Sequence, residues 1–157
     1  MASTSSIHQE SLKDQAQNIH EEARMVLPGV QALFGFQLIA AFNQRFGELD
    51  KAATAVFVGS LLVVAIIVGL LMTPAAYHRI CERKQVSPYF AAMSSRLIAT
   101  AMVLLAIAIG ADVYVVGRMV TEPWVAVLLG VATMSVLLTL WLAFPLWHNA
   151  NSHSRRS

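Results

Sequence analysis

The chain has 157 residues, of which 57% are hydrophobic and 13% charged, with a mean hydropathy of +0.60 and a formal net charge of +2. A soluble domain carries about twice that charged fraction, and the few scattered cations form no nucleic-acid footprint. One cysteine, Cys81, excludes both a disulfide and a cysteine-based metal centre within one chain.

Residues 1–24 are polar, beginning with the Ser/Thr/Ala tail Met1–Ser6. Within Ile7–Arg24 and just beyond, Leu12, Ala16, Ile19, Ala23 and Val26 recur at spacings of 4, 3, 4 and 3, which predicts one narrow face of an amphipathic helix. Its other face mixes Glu10, Lys13, Asp14, Glu21 and Glu22, unlike a helix that seeks anionic lipid. This cytoplasmic helix is expected to lie on the membrane surface, to pack on a neighbouring subunit, or to form only in part. A cleavable signal is not expected, because no charged segment followed by an apolar one opens the chain.

Four apolar blocks follow. Met25–Gln44, Ala52–Tyr77 and Pro123–Trp147 contain no Asp, Glu, Lys or Arg, and Leu97–Gly117 contains only Asp112. A bilayer core of about 30 Å needs about 20 apolar helical residues, and every block reaches that length. The predicted fold class is an all-α membrane protein with four transmembrane helices, at about 25–46, 52–76, 94–117 and 123–147. Short links, Phe46–Lys51 and Arg118–Glu122, pair them as two antiparallel hairpins. A polar C-terminal tail, 148–157, completes the chain. Lys13, Arg24, Arg79, Arg83, Lys84, Arg96, Arg155 and Arg156 fall on one side, against Arg45, Lys51 and Arg118 on the other. This bias predicts a multi-pass protein with both termini cytoplasmic.

The first span carries the polar residues that need explaining. Pro28-Gly29 is expected to form a joint between the surface helix and the span, since proline disfavours helix in the residue before it. Gln31 shares a wheel face with Arg24, Pro28, Gly35, Leu38 and Phe42, whereas Gln37 shares another with Gln44. Polar groups at membrane depth face protein or water, so Gln31, Gln37, Gln44 and Asp112 are candidates to line an ion path, with interhelical hydrogen bonding the plainer alternative. Asp112 is expected one or two turns from the outer surface, near Gln44, Arg45 and Arg118. At the inner end His78, Arg79, Arg96 and His148 are candidates for a proton-responsive mouth. Pairs of small residues four apart, Ala55/Gly59, Ala65/Gly69, Ala106/Gly110 and Ala126/Gly130, permit close helix approach without locating it.

The strings LPGVQALFGFQL (Leu27–Leu38) and TPAAYHR (Thr73–Arg79), with Ser95-Arg96-Leu97, resemble a bacterial family of small four-helix integral membrane proteins classed as a domain of unknown function. The resemblance covers roughly Glu21 to Trp147. It implies an inner-membrane location and four helices, with no established activity and no catalytic residue to carry over.

Enzyme signatures such as HExxH, GxSxG, a P-loop or GxGxxG do not occur. No catalytic residue, metal site or cofactor is expected, and the five histidines form no ligand pair on one helix. The best functional expectation is a homo-oligomeric channel or carrier for protons or small monovalent cations. The alternative is a non-transporting structural or accessory subunit of a membrane complex, docked through Ile7–Arg24.

Overall fold

A computed structural model of the chain describes Glu21, residues 24–81 and residues 87–143. The regular structure among these residues is helical: α1 (Arg24–Ala41), α2 (Lys51–Cys81), α3 (Pro88–Val120) and α4 (Pro123–Leu138). All four are long and apolar enough to cross a membrane, α4 counted with the π-helical turn Thr139–Ala143 that continues it.

Local chemistry sets the ends. After α1 the chain turns through a 3-10 helix, Gln44–Glu48, whose cap Asn43 accepts a hydrogen bond on its side-chain oxygen from the Arg45 N–H at 3.0 Å. Asp50 opens α2, with its carbonyl accepting from the Thr54 N–H at 3.0 Å. Ser87 caps α3 by accepting the Phe90 N–H at 3.1 Å, and Pro88 occupies the first helical position, where its missing N–H costs nothing. The helix therefore starts six residues before the expected position 94, because Pro88 initiates α3 instead of interrupting a loop. Pro123 starts α4 in the same way.

Two prolines lie within helices, one of them against expectation. Pro28, with Gly29, lies inside α1 instead of separating two elements. Pro74 is buried within α2, which runs on to Cys81. It removes one backbone donor, and beside it the Thr73 hydroxyl donates to the Gly69 carbonyl at 2.8 Å. Thr54, Thr100, Thr121 and Thr139 likewise donate to the carbonyl four residues back. Hydroxyls satisfied by the backbone one turn back suit a solvent that offers no hydrogen bonds.

The chain divides into two compact units. The first comprises residues 1–35 and 64–101. Its interior is built from Val64, Ile67, Leu71 and Pro74 of α2, Phe90, Ser94, Ile98 and Ala101 of α3, and Val30 of α1. Tyr77 stacks on Phe90 at a ring separation of 5.9 Å.

The second unit comprises residues 36–63 and 102–157. It buries Ala53, Phe57 and Ser60 of α2, Leu105, Ala106, Ala108 and Val115 of α3, Gln37 of α1 and Ala126 of α4. Phe46 meets Phe57 edge to face at 4.8 Å. Gly117 packs on Ala126, and Gly110 on Gly130 and Met134.

The buried positions of α2 are 53, 57, 60, 64, 67, 71 and 74, an alternation of four and three. Those of α3 include 90, 94, 98, 101, 105, 108 and 115, and Asp112 falls in the one gap of that series. A period of 3.5 marks the seam of helices that pack side by side.

Candidate functional site

Three polar side chains meet in the second unit, each from a different helix. Gln37 is 3% exposed and Ser60 4%, both on the seams of their own helices. The Gln37 amide nitrogen donates to Ser60 Oγ at 2.9 Å and to both oxygens of Asp112, at 3.0 and 2.9 Å. Ser60 Oγ lies 2.8 Å from Asp112 Oδ1 and 3.3 Å from the Ala108 carbonyl oxygen. Its single proton thus has two acceptors to choose between.

The remaining atom of the cluster is unsatisfied. Gln37 Oε1 is buried with no hydrogen-bond partner among the described residues. Orphaned buried polar atoms are rare in native structures.

The countercharges expected beside Asp112 are engaged elsewhere. Arg118 Nη2 pairs with Asp50 Oδ1 at 3.2 Å, and Arg45 Nη1 donates to the Met119 carbonyl at 2.8 Å. Gln44 is exposed in the 3-10 turn. Among the described residues Asp112 is therefore held by an amide and a hydroxyl, without an arginine. The reason is axial spacing: Arg118 is six residues further along α3, a rise of about 9 Å. Ser60 lies ten residues beyond Asp50, about 15 Å along α2 by the same rise. Both residues therefore lie well inside their helices, away from the Asp50–Arg118 end.

The Asp50–Arg118 pair is itself a modest fastening. Asp50 is half exposed, and such pairs contribute about 0–1 kcal/mol. Its carboxylate also lies 3.4 Å from the Ala53 N–H at the start of α2. Asp50→Ala is expected to lower stability by about 1 kcal/mol, chiefly through the lost cap. Asp50→Asn, which keeps a capping oxygen, should recover most of that loss in denaturant titration of the purified protein.

The other sequence candidates that the structure describes do not join the cluster. Gln31 is exposed on α1, as are Pro28, Leu38 and Phe42 of the same wheel face, so α1 buries the Gln37 side instead. Arg79 and Arg96 are exposed, Arg96 along a groove with Tyr89, Met93 and Thr100. The His78 side chain, all of His148 and the segment 7–20 lie outside the described residues. Ser60 was the member missed: a lone serine in the most apolar block gave no signal except its place on the 3.5-residue seam.

Residues 6–145 match the model of a family of unknown function (DUF6328). The chain belongs to that family. No curated protein and no solved structure matches it. In this member of DUF6328, therefore, the chemistry of the site is read from its own residues. Among the described residues no three His, Cys, Asp or Glu side chains converge as metal ligands. What the cluster offers is one carboxylate, one hydroxyl, one backbone carbonyl and an amide that presents either a donor or an acceptor.

Proposed function

We propose that the protein is a non-enzymatic, homo-oligomeric channel or carrier for protons or small monovalent cations, with Gln37, Ser60 and Asp112 as its ion-handling centre. On this reading the four helices form two antiparallel hairpins in a bacterial inner membrane. The Lys/Arg bias sets both termini in the cytoplasm, so the Asp50–Arg118 end faces outward.

One observation carries the reading: an acidic side chain within a span, held by neutral groups alone. A carboxylate in hydrocarbon without a countercharge is costly, and carboxylates at such depth mark ion and proton routes. A proton or a cation removes that cost each time it arrives and restores it on leaving. Four helices enclose no wide pore, so the route runs along the faces that a second copy of the chain covers. α4 supports this arrangement: Val127, Leu128, Val131, Val136 and Leu140 are all exposed.

Purified full-length protein in liposomes provides the test. An imposed pH or cation gradient should collapse faster than in empty vesicles, and Asp112→Asn should return the rate to the empty-vesicle level. Unchanged flux in Asp112→Asn, or no flux in the wild type, overturns the reading.

A further inference from the structure

We infer that the cluster of Gln37, Ser60 and Asp112 is a binding site for a small monovalent cation of the sodium–lithium class, with Gln37 turning its amide oxygen onto the ion. The inference rests on the ion-site reading above and narrows its occupant.

The donor set comes first. Asp112 Oδ1 and Oδ2, Ser60 Oγ, the Ala108 carbonyl and Gln37 Oε1 are all hard oxygens. Such a set selects alkali or alkaline-earth ions over thiolate- or imidazole-loving metals. Charge then decides between the two. One carboxylate is present, so a monovalent ion leaves the occupied site neutral, whereas a divalent ion would strand a positive charge in apolar surroundings. Size follows from spacing: Ser60 Oγ lies 2.8 and 3.3 Å from its neighbouring oxygens. These are hydrogen-bond separations that any ion must open, and a small ion spreads the three helices least.

The orphaned oxygen supplies the independent observation. Gln37 is 3% exposed, its amide nitrogen points into the cluster, and Oε1, at the other end of the amide, has no partner among the described residues. The last side-chain torsion of glutamine has a broad, two-fold profile. A half-turn exchanges the two ends of the amide and sets Oε1 where Nε2 now stands, about 3 Å from Ser60 Oγ and Asp112. Ser60 then gives its single proton to the Ala108 carbonyl and turns its lone pairs inward. Asp112, Ser60 and Gln37 thereby become three oxygen ligands on one ion. Without the ion, the amide donates to the carboxylate instead. Among the described residues no charged side chain competes, because Arg118 is held by Asp50 and Arg45 by the Met119 carbonyl.

The full chain, purified in mild detergent, is melted while tryptophan fluorescence is followed in NaCl, LiCl, KCl or choline chloride at equal ionic strength. A ligand that binds the folded state raises the midpoint. The midpoint should rise by several degrees in Na⁺ and Li⁺ over choline, and by less in K⁺. Asp112→Asn should erase the gain. Ser60→Ala, a milder change, should shift the Na⁺ dependence to at least several-fold higher concentration. Equal midpoints in all four salts overturn the inference, as does a Na⁺ gain that survives in both variants or a larger gain from CaCl₂. Proton flux in liposomes with a salt-indifferent midpoint overturns the cation site and leaves the transport reading standing. A Na⁺-specific gain without flux supports the site and overturns transport.

Discussion

Gly130→Ala is expected to force α4 away from α3 and to cost about 1–3 kcal/mol, the range for overpacking a closed interface. A methyl group placed there would sit 2.7 Å from the Gly110 carbonyl oxygen and 2.9 Å from Tyr114 Cβ. Gly110→Ala meets the same crossing from the other side, 2.8 Å from Met134 Cβ and 2.9 Å from the Gly130 carbonyl. Neither first contact is the far end of a flexible side chain, so relief must come from the backbone. Valine at either position should cost more than alanine and should lower the yield of folded protein. Gly59→Ala and Gly69→Ala are the controls. Both positions open onto free space, and alanine favours helix over glycine. These two should be neutral or slightly stabilising in the same melts.

Gln37→Leu should be the most damaging single change in the cluster. It removes the donor that serves both oxygens of Asp112 and leaves the carboxylate with Ser60 alone. Stranding a buried charged group in this way costs about 3–5 kcal/mol unless the group takes up a proton. The informative comparison is the triple variant Gln37→Leu, Ser60→Ala, Asp112→Leu. Replacing a whole buried polar network by apolar groups is often neutral or stabilising, so the triple variant should melt at or above the wild type. It should also lose every Na⁺-dependent gain. A triple variant less stable than Gln37→Leu alone would show that the cluster acts chiefly as structural glue.

The four spans were legible because their signal is composition over about 20 residues, which needs no knowledge of neighbours. Faces were harder. Helix α2 is apolar all round, so no amphipathic contrast marks its buried side, and only the seam of 53, 57, 60, 64, 67, 71 and 74 reveals it. On α1 two candidate polar faces stood open, and burial falls on Gln37 and Val30, not on Gln31. Asp112 was legible as a residue of interest, but its partners were not. The expectation chose Arg45, Gln44 and Arg118 by nearness in depth, whereas the true partners lie deeper and on other helices. Small-residue pairs behaved similarly: of four, only Ala106/Gly110 and Ala126/Gly130 include a glycine whose added methyl would strike a neighbouring helix. Spacing along one helix cannot say which partner occupies the opposite side.

The cluster has one further consequence, for how the chain finds its alignment. Apolar seams of alanine, valine, isoleucine and leucine can slide past one another by a turn with little penalty, because lipid and side chain are equally apolar. Along α2 the seam neighbours of Ser60 are Ala53, Phe57, Val64 and Ile67, none of which can donate to a carboxylate. Any one-turn slip of α2 would therefore take the Ser60 hydroxyl away from Asp112 and leave the carboxylate to Gln37 alone. Three polar residues among so many interchangeable apolar ones fix the helices in a single register, as a lone buried asparagine does in a coiled coil.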